Sequence, residues 1–408
     1  MKSTPRSNRI HIGIFGRRNA GKSQLVNAVT GQDIALVSDV PGTTTDPVYK
    51  SIEILPLGPC VMIDTAGLDD VGSLGALRVK KTREVLDKTD LALLVVSAET
   101  GWSDFERQLI YEINLLKIPY LVVLNKIDKG GYRPVLAQIE SEQQPVLKVS
   151  AVTGQGIHEL KEKFIEMEPG DWQQASIVGD LVGPQDTVVM VIPIDDAMPK
   201  NRLILPEVQV LRELLDNNCH VLVTKDMDLP QALEKLTAPP TLVISDSQVF
   251  QSVSLMVPEE IPLTSFSILF ARYKGDIEAF LEGVKAVNDL EPGDRVLIAE
   301  ACTHHAQKED IGRVKIPHWL NERAGGELQY DVHAGGTFPE DLSRYKLIVH
   351  CGACMINRRQ TLRHVFRART AQVPITNYGI LIAYLKGILP RVVAPLGLSA
   401  VPDPSISL

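Results

Sequence analysis

Cysteines and long apolar runs are scarce in this sequence, and each shortage excludes a class of protein. Five of the 408 residues are cysteine, an odd and sparse set that predicts reduced, cytoplasmic thiols rather than a disulfide framework. No apolar run reaches the roughly 18 residues that a membrane helix needs. The first residues lead directly into a predicted strand, without the pattern of a signal peptide.

Positive charge is not in excess either. The chain has 42 Lys and Arg against 50 Asp and Glu, a net charge of −8, which argues against a globally basic nucleic-acid binder. Apolar residues make up 44% and charged residues 23%, as in globular proteins, and 408 residues are too many for one ordinary core. We therefore expect two or three domains, no membrane partner and no globally basic nucleic-acid-binding surface, although the net charge does not exclude a local basic patch.

A phosphate-binding loop is predicted near the start of the chain. The stretch GRRNAGKS, residues 16–23, fits G-x-x-x-x-G-K-[ST] between an apolar strand and a helix. In such a loop, backbone N–H groups surround phosphates, Lys22 reaches the β and γ oxygens, and Ser23 can bind Mg²⁺. The alternative is an ordinary glycine-containing turn. The nucleotide-binding residues predicted here are Gly16, Asn19, Ala20, Gly21, Lys22, Ser23 and Gln24.

Three further motifs follow in the order that a guanine-nucleotide switch domain requires. The strand VMIDTAG ends in Asp64 and Gly67, placed to sense Mg²⁺ and the γ-phosphate. A carboxylate at the end of LVVLNKID can accept two N–H groups of guanine, which adenine does not offer. The third motif, VLKVSAVTG, places Ser150 and Ala151 at a strand end, where a backbone N–H group could reach the guanine carbonyl. These later motifs add Asn125, Lys126, Asp128, Ser150 and Ala151 to the predicted site. GTP or GDP with Mg²⁺ is the expected ligand.

Residues 8–168 resemble the TrmE–Era branch of the translation-factor-like GTPases. The resemblance implies that Thr44, in PGTTTDPV, is the Mg²⁺-binding threonine of a mobile switch. Asn19 matches the asparagine that helps to hold K⁺ in potassium-dependent members, although a loop-capping role is the alternative. Leu68 occupies the position where Ras-like enzymes carry a water-positioning glutamine, so we expect slow GTP hydrolysis that is stimulated by K⁺, with K⁺ or a rearranged switch region supplying transition-state charge. Lys22, Ser23, Thr44, Asp64 and Gly67 are the expected catalytic residues.

The middle of the chain shows alternating strands and helices but no catalytic constellation. Apolar runs at 187–194 and 241–244 indicate buried strands, with amphipathic helices between them, as in a small βαβ unit with a parallel sheet. Asp195 and Asp196 suit either a metal site or a solvated helix entry. Cys219 is predicted to be a buried small hydrophobe. The segment suggests assembly or signal transmission.

The last third places soft metal ligands after two apolar strands. The runs RVLIAEAC and RYKLIVHC end in Cys302 and Cys351, and Cys354 follows in a C-x-x-C pair. Ligands of open parallel sheets bind beyond the carboxyl ends of the strands, so these two segments could converge on one site. Three thiolates suit zinc or an iron–sulfur cluster, and His304, His305 or His350 could be the fourth ligand. A redox pair and two inert thiols remain alternatives.

The pattern Cys302-x-His304 followed by His350-Cys351-x-x-Cys354 resembles the HydF family, the GTPase scaffolds of [FeFe]-hydrogenase maturation. The resemblance implies a [4Fe–4S] cluster on Cys302, Cys351 and Cys354, with a labile or histidine fourth position (His304 or His350). It also implies a transient di-iron precursor, a homodimer, and as partners radical-SAM hydrogenase maturases and the immature hydrogenase.

The fold class expected from these features is α/β: a P-loop GTPase domain followed by two smaller α/β domains with mainly parallel sheets. We predict a GTP-binding domain over residues 1–170, a dimerisation domain over 171–263 and a cluster-binding domain over 264–408. The competing hypothesis is a ribosome- or tRNA-associated GTPase with a structural Cys₃His zinc. A predicted helix at 356–372 adds five arginines. These could bind an anionic precursor or an acidic partner, and the alternative is a solvent-exposed helix face.

Overall fold

The computed structural model describes residues 5–31, 47–65, 81–167, 176–194, 203–301, 310–335 and 338–399. The chain separates into two compact units, Met1–Gln174 and Ala175–Leu408. Within the described stretches, every helix is too short or too polar to cross a membrane.

A six-stranded sheet forms the centre of the first unit. Its strands lie in the order β2-β3-β1-β4-β5-β6, and every neighbouring pair is parallel except β2 and β3. The strands are β1 (Ile10–Phe15), β2 (Val48–Ile54), β3 (Gly58–Asp64), β4 (Leu91–Ser97), β5 (Tyr120–Asn125) and β6 (Val146–Lys148). The helices are α1 (Lys22–Thr30), α2 (Asp104–Leu115), α3 (Arg133–Ser141) and α4 (Ile157–Glu166).

Continuous apolar sequence explains the central strands of this sheet. Every residue of β1 and of β4 is buried, as expected for parallel strands covered on both faces by helices. The ends of β1, β3 and β5 lead into the three loops that carry the phosphate, Mg²⁺ and guanine motifs. Those predicted nucleotide residues that the structure describes are therefore brought to one edge of the sheet by the register of parallel strands.

The second unit begins with a four-stranded parallel sheet in the order β10-β9-β7-β8. Its strands are β7 (Thr187–Val191), β8 (His220–Thr224), β9 (Leu242–Ser245) and β10 (Leu263–Ser265). The helices around it are α5 (Leu205–Asp216), α6 (Leu229–Glu234), α7 (Phe250–Met256) and α8 (Phe266–Lys274). The βαβ alternation predicted for this region is confirmed.

A second four-stranded parallel sheet follows, in the order β12-β11-β13-β14. Its strands are β11 (Arg295–Glu300), β12 (Gln329–Ala334), β13 (Leu347–His350) and β14 (Ile375–Asn377). Its helices are α9 (Ile277–Gly283), α10 (Ile316–Ala324), α11 (Arg358–Thr370), α12 (Tyr378–Leu385) and α13 (Leu389–Val393).

One cluster of buried side chains extends across both sheets of the second unit, from Val189 and Val243 to Ile298 and Val349. The predicted boundary between residues 263 and 264 falls within β10, a strand of the first of these sheets. The division of this unit into a dimerisation and a cluster-binding domain stays a prediction, whereas the predicted fold class is confirmed.

Candidate nucleotide and metal sites

The phosphate loop between β1 and α1 requires glycine at two positions. Gly16 has φ +141°, and a Cβ there would lie 2.3 Å from the carbonyl oxygen of Val95. Gly21 has φ +89°, and a Cβ there would lie 2.3 Å from Asn125 Nδ2. Asn19 also adopts positive φ, 59°, on the exposed side of the loop. The backbone is thus curved in the way that lets N–H groups surround a phosphate.

Lys22 lies inside this loop. Its side chain is buried, and Nζ donates to the carbonyl oxygens of Gly16 and Arg17, each at 2.9 Å. An ammonium held in this position can exchange carbonyl oxygens for phosphate oxygens without leaving the loop. Gln24 follows in the first turn of α1, where it is exposed.

The Mg²⁺ residues that the structure describes contact one another. Ser23 Oγ donates to Asp64 Oδ2 at 2.5 Å. Burial raises the pKa of Asp64, opposed by the Ser23 hydrogen bond and by the charges of Lys22 and Lys50. Asp64 Oδ1 is buried and accepts no hydrogen bond from the described residues. A hydroxyl beside a carboxylate with a free buried oxygen fits Mg²⁺ and its water ligands. Thr44 and Gly67 lie outside the described residues.

The base-recognition loops are tied to the phosphate loop through Asn125. Its Nδ2 donates to the Ala20 carbonyl at 3.0 Å, and its Oδ1 accepts from the Ala151 N–H at 3.1 Å. Asp128 Oδ1 accepts from Ser150 Oγ at 2.6 Å. The structure thereby brings together the two predicted base-site segments, and Asn125 couples them to the loop that holds the phosphates.

Two ion pairs at this site were not predicted from the sequence. Arg17, in the phosphate loop, pairs with the buried Glu106 at 2.7 Å and donates to the Gly101 carbonyl. Lys126 pairs with Glu99 at 2.7 Å, and hydrogen bonds from Lys126 and Lys129 lower the pKa of Glu99 to about 2. Both pairs join segments far apart in sequence, and no local pattern indicates them.

The strands that lead to two of the cysteine segments lie side by side in the second unit. Strands β11 and β13 are parallel neighbours, with Ala299 opposite His350. The Cys351 N–H donates to the Ala299 carbonyl at 2.9 Å, and the Ala301 N–H donates to Cys351 Sγ at 3.0 Å. Cys302 and His304 lie outside the described residues, but Cys302 directly follows Ala301 in the chain. The backbone that leads to one cysteine therefore contacts the sulfur of another.

A short loop joins Cys351 and Cys354 to helix α11. Ala353 adopts φ 55° and is buried, and the Ile356 N–H returns to its carbonyl oxygen at 3.3 Å. Asn357 caps α11 through the Gln360 N–H at 3.1 Å. Burial raises the pKa of the Cys354 thiol, opposed by the charge of Lys274 and by backbone N–H donors. The thiols and their N–H donors suit a soft metal or iron–sulfur cluster.

The described residues do not by themselves complete a metal site. No group of three His, Cys, Asp or Glu side chains able to hold a metal occurs among them, and the third cysteine lies outside them. His350 is buried, and Nε2 shares a hydrogen bond with His364 Nδ1 at 2.9 Å. His350 Nδ1 lies 2.8 Å from the Cys351 carbonyl oxygen. Both ring nitrogens of His350 are thus engaged, and ligation would require one of these bonds to break.

A lysine that sequence analysis did not single out lies against the cysteine loop. Lys274, the last residue of α8, is 1% exposed. Burial lowers its pKa to about 8, opposed by the charges of Cys354 and Cys351. In the sequence it ends an apolar helix before a glycine, which indicates a helix C-terminus but does not indicate burial.

The ends of β11 and β14 place further polar groups beside Cys351. Glu300 is buried and forms a two-point pair with Arg313, at 3.2 and 2.7 Å. The Tyr378 hydroxyl is buried without a hydrogen-bond partner among the described residues, and burial raises its pKa. A Cβ at Gly312 would lie 2.1 Å from that hydroxyl, so this position requires glycine.

The arginines of α11 are mostly engaged within the protein. Arg358 donates to the Tyr273 carbonyl, and Arg367 donates to the Pro339 carbonyl and stacks over Phe338. Arg369 pairs with Asp276 at 2.9 Å. An anion-binding patch on this helix is therefore smaller than the sequence indicates, because at least these three of its five arginines already contact groups of the protein.

Comparison with protein families separates the chain into three matched segments. Residues 177–275 match the family described as "Hydrogen maturase F dimerization domain", and residues 278–395 match "Hydrogen maturase F tetramerization domain". Residues 11–126 match "50S ribosome-binding GTPase". The chain belongs to the hydrogen maturase F family. The resemblance inferred from the cysteine and histidine pattern is confirmed, and the domains of this family support a GTP-binding maturation factor.

Relatives outside hydrogen maturase F match the GTPase segment. The chain is 38% identical over 159 residues to the tRNA modification GTPase MnmE of Chromobacterium violaceum, covering 39% of this chain and 34% of that protein. It is 35% identical over 169 residues to GTPase Der of Wolinella succinogenes, covering 39% and 36%. The chain thus spans about a third of the length of these relatives. Era from Aquifex aeolicus, solved with GDP and AlF₄⁻, is 21% identical over 55% of this chain and 97% of its own, with a TM-score of 0.36.

Proposed function

We propose that the chain is a GTP-hydrolysing scaffold or carrier that assembles and delivers the di-iron precursor of the [FeFe]-hydrogenase active site. The observation that carries this proposal is the joining of the two cysteine segments by neighbouring parallel strands, with the Ala301 N–H on Cys351 Sγ at 3.0 Å. A guanine-nucleotide site on the same chain and the two hydrogen maturase F segments support it.

The nucleotide site positions its ligand and supplies positive charge. Lys22 would contact the β- and γ-phosphates, while Ser23 and Thr44 would hold Mg²⁺ with Asp64 bound to one of its waters. Gly67 would bind the γ-phosphate through its N–H group. No side chain of the described site replaces the glutamine that orients water in Ras-like enzymes, so we propose slow turnover. Asn19, exposed at the loop, would hold the K⁺ that stimulates hydrolysis.

The cluster site would use Cys302, Cys351 and Cys354 for a [4Fe–4S] cluster. A cluster bound there supplies a negatively charged iron–sulfur surface with one exchangeable position. His304 is the favoured fourth ligand of the two histidines predicted, because both nitrogens of His350 are engaged. The N–H of Ala301 stabilises the thiolate form of Cys351 by donating to its sulfur.

The di-iron precursor is the cargo of this site. Its suppliers would be the radical-SAM hydrogenase maturases, and its acceptor would be the immature hydrogenase, all in the cytoplasm with reduced thiols. We propose a homodimer, which the dimerization description of residues 177–275 supports, whereas the tetramerization description of residues 278–395 favours a larger assembly of the same chain. GTP hydrolysis would gate these contacts through the conformation of the switch segments rather than drive the iron chemistry.

Activation of an immature hydrogenase tests this function directly. Protein loaded by the maturases is purified, added to the apo-hydrogenase, and hydrogen evolution is measured. We expect activation by the parent protein and by Cys219→Ala, whose thiol lies in the core of the first sheet of the second unit. We expect none with Cys351→Ala. Equal activation by the Cys351→Ala variant, or none by the parent, would rule out the carrier function.

A further inference from the structure

Lys274 enters the cysteine loop from the end of α8. Its Nζ lies 3.1 Å from the Ala353 carbonyl oxygen, 3.3 Å from that of Cys354 and 2.9 Å from that of Ile356. These three carbonyls belong to the turn that carries Cys354 and leads to α11. The Lys274 side chain therefore donates to three backbone carbonyls of one turn.

The geometry of these contacts favours the protonated form of the Lys274 side chain. A neutral amine has two N–H donors, whereas an ammonium has three, and three carbonyl oxygens can only accept. The site is therefore matched to the cation. A buried ammonium is costly unless a negative charge lies near it. Among the described residues Lys274 forms no ion pair with a carboxylate, and the ionisable groups that act on it are the thiols of Cys354 and Cys351, which become negative when a bound metal deprotonates them.

Hydrogen bonds run both from α8 to the cysteine loop and from the start of α11 back to α8. Lys274 donates from α8 into the loop, and Arg358, at the start of α11, donates back to the carbonyls of Tyr273 and Arg272. Lys274 lies in the segment that matches the dimerisation domain, while both cysteines lie in the segment that matches the tetramerisation domain. The cysteine loop is thus held by a residue from the other matched segment.

We propose that Lys274 is a positioning residue for the Cys351–Cys354 loop and supplies the buried positive charge that balances thiolates, or a cluster, bound there. The charge part rests on the proposed function, whereas the positioning part concerns the protein without a cluster. A fixed positive charge stabilises the reduced, more negative cluster over the oxidised one. Loss of that charge therefore shifts the midpoint potential to more negative values.

Four variants separate the charge from the shape of the side chain. Lys274→Met removes the charge and all donors at similar length, Lys274→Gln keeps two donors without charge, and Lys274→Arg keeps the charge. Lys285→Met is the matched control, because Lys285 is an exposed lysine of the same unit paired only with Glu282 among the described residues. Circular dichroism first establishes which variants fold.

Hydrogen–deuterium exchange of the metal-free protein tests positioning. The Ile356 amide bonds to the Ala353 carbonyl, which also accepts from Lys274. We expect faster exchange over residues 351–358 in Lys274→Met, intermediate exchange in Lys274→Gln, and parent-like exchange in Lys274→Arg and Lys285→Met. Unchanged exchange in both neutral variants would overturn the positioning role. If Lys274→Met does not fold, Lys274→Gln carries the comparison.

Redox titration of the reconstituted protein with dithionite tests the charge. We expect a more negative midpoint in Lys274→Met and Lys274→Gln, and recovery toward the parent value in Lys274→Arg. An unchanged midpoint in both neutral variants, with iron content equal to the parent, would reject the charge role while the scaffold function stands. If the parent takes up no iron and sulfide, the scaffold function and with it the charge role fail, and the exchange measurement still decides positioning.

Discussion

At the scale of single residues, Asp128 is the most direct test of base recognition. Its Oδ1 accepts from Ser150 Oγ at 2.6 Å, which fixes the carboxylate at the base-recognition edge of the sheet. In Asp128→Asn an NH₂ group would face the N–H donors of guanine. We expect GTP affinity to fall by at least about 100-fold, because buried donors would be left unpaired. Xanthosine triphosphate, whose C2 carbonyl can accept from that NH₂ group, should bind better.

Nucleotide titration by calorimetry measures this change. Asp104→Asn is the matched control, because that carboxylate is fully exposed and an exposed ion pair contributes little. Parent-like GTP affinity in Asp128→Asn would show that the base site is elsewhere.

Asn19 offers a residue-scale test of the K⁺ proposal. It lies exposed in the phosphate loop with φ 59°. We expect the parent to hydrolyse GTP faster in KCl than in NaCl at equal ionic strength, and Asn19→Gly to lose this difference. Glycine tolerates the positive φ, so the loop is retained. A K⁺ stimulation that survives in Asn19→Gly would assign the asparagine to loop capping.

Motif residues were predictable at this scale, and their unexpected partners were not. Gly21, Lys22 and Asp64 follow from spacing alone, because phosphate and Mg²⁺ chemistry demand those residue types in that order. Lys274 and Arg17 were missed, because their partners lie 79 and 89 residues away and no periodic pattern marks them.

At the scale of elements, the start of α5 contains a buried carboxyl group. Glu207 is fully buried, Oε2 accepts from the Ile204 N–H at 2.8 Å, and Oε1 has no partner among the described residues. Burial raises its pKa from 4.5 to about 7. Between these values the folded state keeps a proton that the unfolded state releases, so stability falls as pH rises from about 4.5 to about 7.

Glu207→Gln removes this cost while keeping an acceptor for the Ile204 N–H. We expect the variant to gain on the order of 2 kcal/mol in unfolding free energy near pH 8, and little near pH 4.5. Urea unfolding at the two pH values measures the difference. Glu234 is an exposed carboxylate in α6, so Glu234→Gln should change stability at neither pH. A parent whose stability difference from Glu207→Gln does not vary with pH would contradict the assignment.

The elements themselves were largely predictable, because apolar runs and Gly or Pro boundaries indicate strands and helices locally. The rule that ligands bind beyond the carboxyl ends of parallel strands led us to expect that two cysteine segments could converge, but the direct pairing of β11 with β13 was not predicted. The sequence does not predict which partners the individual side chains of those elements contact. His350 has a histidine partner 14 residues on, and Arg358, Arg367 and Arg369 bind carbonyls or a carboxylate within the fold.

At the scale of the whole molecule, the proposal requires more than one chain. The first sheet of the second unit ends at β8, an edge strand on which Val223 is 45% exposed. We expect light scattering after size-exclusion chromatography to give a mass of at least twice that of the 44.9 kDa chain. A mass of one chain at every concentration would contradict the homodimer.

Our proposal stands or falls with one site, in which Cys302, Cys351 and Cys354 hold a single iron–sulfur cluster. Iron, zinc and acid-labile sulfide are measured in anaerobically purified, reconstituted protein, beside Cys302→Ala, Cys351→Ala and the control Cys219→Ala. The account predicts about four iron and four sulfide per chain in the parent and the control, and loss of both in the other two variants. One zinc per chain without sulfide would contradict it and would favour a GTPase with a structural metal.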